Sequence, residues 1–181
     1  MCQLLIPNLG PIHLPRLYDE GRFYVELSYM IENMVEVQQP VVLFLMDIIP
    51  ANEVEYSFFL TKIQAIRREV ANSLRLTFNN RGLMGYNNSA RLSLANYVSP
   101  FNTLPHMCQQ IGNIVDSINS SLTAKCRFAL LLSYALKNKV VFTDHLITEA
   151  RNAPKWIFNE EKQLCIQQAK KYMDTLFEPA S

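Results

Sequence analysis

The run "PVVLFLMDIIP", Pro40 to Pro50, decides how the rest of the sequence is read. Between its prolines only Asp47 is polar. A strand with one wet face alternates apolar and polar residues. A continuous apolar run rich in β-branched residues and bounded by prolines marks a strand buried on both faces. A central strand is therefore placed here, with Asp47 near its C-terminal end.

Outward from it, helical spacing takes over. On the N-terminal side, Gly21–Val37 carries Phe23, Leu27, Met30, Ile31 and Met34 at helical intervals, with Glu26 and Glu32 off that stripe. On the C-terminal side, Glu53–Leu74 buries Phe59, Ile63, Ile66, Val70 and Leu74. Lys62, Arg67, Arg68 and Glu69 form its exposed face. "RLTF" (Arg75–Phe78) then reads as a short strand. "RGLMGYNNSARLSLANY" (Arg81–Tyr97) opens with turn chemistry at Gly82, Gly85, Asn87 and Asn88 and ends in the alternation of Leu92 and Leu94, so "ARLSLANYV" is the hairpin partner.

A helix follows from Thr103 to Leu122. Arg127–Leu136 reads equally as strand or helix, because its length and apolarity do not separate the two. "TDHLITEARN" is a helix with its N-cap at Thr143 or Asp144, and Glu160–Phe177 is a final amphipathic helix. With a strand at 127–136, the order becomes split βαβ. The expected class is α/β (α+β), ferredoxin-like or nucleotidyl-cyclase-like, with a mainly antiparallel central sheet and helices on one face.

Composition narrows the function. At 181 residues and 49% hydrophobic, the chain suits a core of ordinary size. A net charge of +1 gives no global field toward nucleic acid or an anionic membrane. The longest apolar runs fall short of the ~20 residues of a membrane span. The N-terminus lacks the positive region of a secretory signal. A cytoplasmic protein that neither inserts into membrane nor binds nucleic acid is expected. Cys2, Cys108, Cys126 and Cys165 are scattered and read as buried apolar residues. With His13, His106 and His145 they form no zinc pattern. His106 and Cys108 lie two apart on one helix and do not face each other. No catalytic residue, metal or cofactor is assigned.

From Ile12 to Arg151 the order and spacing resemble the GGDEF family, the diguanylate cyclase domain that makes cyclic di-GMP from two GTP molecules. Leu14, Pro15 and Arg16 resemble the family's opening segment. Asp47 stands at the strand-end metal position, and Ile49 where a second acid commonly follows. Asn88, Ser89, Ala90, Arg91 and Leu92 fall over the Gly-Gly-Asp-Glu-Phe signature. Ser133 and "DHLITEARNA" resemble a later strand and helix.

The resemblance implies phosphates approached by bare backbone and Mg²⁺ held by carboxylates. Here Asn and Ser replace the glycines, and Ala and Arg replace the acids. The family's inhibitory Arg-x-x-Asp is missing after Arg81, and "RLYD" (Arg16–Asp19) reads as a local ion pair. A degenerate, inactive domain follows over 1–152, with a helical extension at 153–181 packed on it.

Asn88, Ser89, Ala90 and Arg91 are then a vestigial signature turn, and Asp47 a vestigial metal position that otherwise caps a turn. Arg81 and Arg91 could contact an anion or nucleotide, or form a solvated pair. Trp156, Phe158 and Tyr172 in the extension are candidate partner contacts. Two functions are carried forward. One is a protein–protein interaction module, an adaptor or scaffold in a bacterial secretion or signalling assembly. The other is a non-catalytic receptor for cyclic di-GMP or another guanine nucleotide. On the first reading, a chain cut at Ala153 stays folded and loses its partner.

Overall fold

The computed structural model describes residues 17–51, 56–78, 82–86 and 91–177. Along the chain these form β1 (Leu17–Tyr18), α1 (Glu20–Glu32), α2 (Met34–Val37), β2 (Val41–Pro50) and α3 (Tyr56–Thr77). Then come β3 (Leu83–Tyr86), β4 (Leu92–Tyr97), α4 (Leu104–Ser121), β5 (Phe128–Lys137), α5 (Thr143–Asn152), β6 (Trp156–Phe158) and α6 (Lys162–Phe177). The strands make one sheet in the order β1-β3-β4-β2-β5-β6, antiparallel except for the β1–β3 pair. The class is the mixed α+β, cyclase-like one expected from the element order.

The run Val41–Ile49 is the central strand, paired with β4 on one side and β5 on the other. Its alternate side chains enter two separate cores. Val42, Phe44 and Met46 pack with α3, α4 and α6, while Val41, Leu43 and Leu45 pack with α1, α2 and α5. Helices therefore cover both faces of the sheet, which corrects the one-face expectation. A strand apolar at every position requires a cover on each side.

Four local readings also change. Arg75–Phe78 is no strand: α3 runs on to Thr77, and Phe78 follows Leu74 at the next helical step into the same core. The hairpin's first strand is instead "LMGY". Gly85 serves that strand rather than a turn, since a Cβ there would stand 2.6 Å from the Phe23 ring of α1. Arg127–Leu136 resolves as strand, and Asn119 pins its start by accepting from the Phe128 N–H (3.0 Å) and donating to its carbonyl (2.8 Å). The N-cap of α5 is Phe142, because the Thr143 hydroxyl is engaged with Ser28 of α1 at 2.7 Å. Asp19, from the "RLYD" stretch, caps α1 by accepting the Arg22 N–H at 2.9 Å, and Arg16 lies outside the described residues.

The segment after Asn152 supplies both the sheet's last strand and a core helix. β6 pairs with Leu130–Leu132, and Cys165, Ile166 and Ala169 of α6 are buried in the α3–α4 core. Gly112 of α4 allows that docking: the Lys162 side chain crosses where a Cβ would sit, and its Nζ reaches Asp116 at 2.6 Å.

Two stability outcomes follow. A chain ending at Ala153 exposes one face of the β5 apolar row and loses the α6 side chains from the core, so it gives no cooperative thermal transition. A sharp two-state melt from it would contradict the integration of this segment. Asn96 is 1% exposed, and neither polar atom of its amide has a hydrogen-bond partner. Burying an unpaired amide costs about 1–3 kcal/mol, so Asn96→Leu is expected to raise the melting temperature by roughly 2–6 °C. A lowered melting temperature counts against this account.

Candidate functional site

Met46 of β2 pairs with Leu92 of β4, which sets Asp47 opposite Arg91 at the hairpin end of the sheet. Arg91 approaches the carboxylate side-on. Its Nε lies 3.0 and 3.1 Å from the two oxygens, and an Nη lies 2.9 Å from Oδ2. Asp47 holds the guanidinium proton more firmly than usual, chiefly through the hydrogen bond, which partial burial opposes and the Asp47 charge supports more weakly. Asp47 is thus an ion-pair partner rather than a turn cap.

This geometry does not fit Mg²⁺. The carboxylate lone pairs are directed at a planar donor fork, and a second unit charge about 4 Å from the guanidinium costs roughly 4 kcal/mol at an effective dielectric near 20. A dication costs about twice that. Among the described residues, no three His, Cys, Asp or Glu side chains gather into a metal-holding group.

Beside the pair lies a cavity of about 200 Å³ between α1, α5 and the sheet. Arg91 and Ser93 line its floor, Glu20 and Tyr24 come from α1, and Asp144 and Arg151 from α5. Partial burial, then the Asp144 carboxylate, raise the Tyr24 phenol above its ordinary pKa. Two acids face two arginines, so the lining is close to electrically balanced.

Other sequence candidates are dispersed. Asn88, Ser89, Ala90 and Arg81 lie outside the described residues. Arg91 is turned onto Asp47. Phe158 is 1% exposed in the core and closed to a partner, because Trp156 and Phe158 sit two apart on β6 and share its inner face. Trp156 and Tyr172 are half-buried, and the Tyr172 hydroxyl donates to the Leu136 carbonyl at 3.3 Å.

Two features escaped the sequence. Arg67, Arg68 and Arg75 of α3 line a groove of about 330 Å³ with Leu17, Tyr86 and Leu92, although the first two read as a plain solvated face. The i, i+1, i+8 spacing is a usable signal, but the wall across from it depends on β3, where Gly82 and Gly85 suggest a turn when seen locally. Val25 and Tyr29 of α1 are exposed, and the Ser28–Thr143 bond brings that helix beside exposed Val140 and Phe142.

No protein-family model matches the chain, and no curated protein matches it in sequence. Solved structures do match in fold. A DGC protein from Thermotoga maritima aligns at TM-score 0.58 and 15% identity, covering 77% of this chain and 97% of that one. The coiled coil and GGDEF domain of DgcB from Caulobacter crescentus, in complex with c-di-GMP, aligns at 0.60 and 12%, covering 76% and 74%. Diguanylate cyclase SiaD from Pseudomonas aeruginosa, in complex with its activator SiaC, aligns at 0.58 and 12%, covering 86% and 56%. The chain has a GGDEF-like fold; identities this low carry the fold alone.

The ion pair is partly exposed, so its contribution to stability is small despite good geometry. A double-mutant cycle with Arg91→Ala and Asp47→Ala, read by urea unfolding, is expected to give a coupling of about 0.5–1 kcal/mol. A coupling above about 3 kcal/mol would identify the pair as a buried structural element instead.

Proposed function

We propose that the chain is a catalytically inactive GGDEF-like module that works through protein–protein contacts, as an adaptor or scaffold in a cytoplasmic bacterial assembly such as a secretion or signalling complex. The observation that carries this reading is the Arg91 guanidinium seated on Asp47. The metal position has acquired a side-chain cation in place of carboxylate neighbours. Phosphoryl transfer relies on metal ions to offset developing charge, and this pair opposes a metal at that point.

The interaction role draws support from the apolar surface joining α1 to the start of α5. Tyr29 is 57% and Phe142 78% exposed, beside exposed Val25 and Val140. Apolar groups clustered on a surface mark contact sites more often than scattered ones do. SiaD, a structural neighbour, is held in complex with a protein activator, so proteins with this fold do engage partners.

A second reading, a non-catalytic receptor for cyclic di-GMP or another guanine nucleotide, is favoured by the α3 groove. Arg67, Arg68 and Arg75 could pair with phosphates there, and the exposed Tyr86 ring offers a stacking surface.

One experiment addresses these readings together. The purified chain with GTP and Mg²⁺ or Mn²⁺ forms no cyclic di-GMP by chromatography, and tagged protein captures a specific partner from native extract. Tyr29→Glu with Phe142→Ser abolishes that capture and leaves the melting temperature within ~2 °C, as surface changes usually do. Cyclic di-GMP above the enzyme-free blank would refute inactivity. Capture unaffected by the double substitution would place the partner surface elsewhere. Heat on titrating GTP or cyclic di-GMP, lost in Arg67→Ala with Arg68→Ala, would support the receptor reading.

A further inference from the structure

β5 is ten residues long, but β6 covers only Leu130–Leu132 of it. The reason lies in the register. Leu132 pairs with Trp156, so the next residue of the same row, Tyr134, would meet Pro154. Proline has no N–H to donate, and the ladder stops there. The chain turns away from the sheet toward α5, and a cavity of about 500 Å³ opens over Tyr134, between the end of α5 and α6.

Its lining has a distinct chemistry. The aromatic rings of Tyr134, Trp156 and Tyr172 come from three different elements, and Glu149 of α5 adds a carboxylate. Asn152 and Gln168 contribute amides whose oxygens accept hydrogen bonds. No Lys, Arg or His is among the lining residues. Oε2 of Glu149 pairs with Lys137 Nζ at 2.5 Å, but Lys137 itself does not line the cavity. Lys137 offsets much of the Glu149 charge from outside the lining, so the three aromatic residues carry most of the preference for a cation, and the second carboxylate oxygen adds to it.

We propose that this cavity is a binding site for an organic cation: an alkylammonium or guanidinium group held against the rings of Tyr134, Trp156 and Tyr172, with Glu149 shared between it and Lys137. Rings from three elements with a carboxylate suit a quaternary or alkylated ammonium, which cannot satisfy a dense hydrogen-bond shell. Arginine or methylated lysine on a peptide presents the same chemistry as a free amine such as choline. The site lies outside the Asp47–Arg91 region and does not depend on the adaptor reading.

Trp156 is the single tryptophan of the chain, so its fluorescence reports the site directly. The full chain is titrated at constant ionic strength with choline, with tetramethylammonium, and with short peptides bearing a central arginine or trimethyl-lysine. Calorimetry gives a second readout. Dimethylbutanol, the uncharged carbon analogue of choline, serves as the control for shape alone. At least one cation is expected to bind with a Kd on the order of a millimolar or below, about tenfold tighter than the neutral analogue.

Glu149→Gln is expected to weaken binding several-fold with an unchanged melting temperature, since that side chain is 43% exposed. Trp156→Phe keeps most of the affinity, and Trp156→Ala loses about tenfold. A free amine binding more tightly than the peptides identifies a small-molecule ligand, and the reverse identifies a partner's side chain. Equal binding of choline and its neutral analogue, or no response to any of the four cations, overturns the proposal.

Discussion

The double burial of β2 is the constraint on which the rest depends. Every residue from Val41 to Met46 is less than a tenth exposed, and successive side chains leave the sheet on opposite sides. Neither face can be left wet, because each fully buried large side chain contributes about 1.5–3 kcal/mol. α3, α4 and α6 close one side, while α1 and α5 close the other. The Ser28–Thr143 bond and the Phe23 ring against Gly85 are consequences of holding the second cover in place. A one-residue slip of β2 would exchange its two side-chain sets between cores of different shape, so the register that sets Asp47 opposite Arg91 is firmly specified.

What could be read from the sequence follows from the range of the forces involved. The stripes of α1, α3 and α4 are periodic within one segment, and their spacing alone located them. β3 was hidden because Gly85 suggests a turn when seen locally. Its lack of a side chain is instead required by Phe23, a residue sixty-two positions earlier, whose ring lies against it. β6 is three residues long and preceded by proline, too short to show an alternation; only the unpaired flank of β5 requires it. The Asp47–Arg91 contact needed two correct registers at once. The sequence supplied the residues, and only the sheet supplied their distance.

That contact also bears on the inactivity proposed for the chain. The sequence offers no glycine pair and no acid at Asn88–Leu92, where the resemblance sets the signature. A guanidinium bonded to Asp47 sets a positive charge beside that carboxylate. A carboxylate left alone on a strand end could still attract a cation weakly, but one engaged by three hydrogen bonds to arginine no longer offers the same lone pairs. On the inactive reading proposed above, acids introduced elsewhere would leave this opposing charge in place.

The near-zero net charge takes on another meaning once the surfaces are placed. The α3 groove gathers Arg67, Arg68 and Arg75 with no acidic residue in its lining, at the β1–β3 side of the sheet. The cavity by β6, at the opposite edge, gathers three aromatic residues and Glu149 with no basic residue in its lining, Lys137 pairing with Glu149 from outside it. A sum of +1 excludes a global field, but it averages over two local environments of opposite preference. Ligands that differ in sign would be sorted to opposite edges of one sheet by short-range chemistry, and overall charge would play little part in that selection.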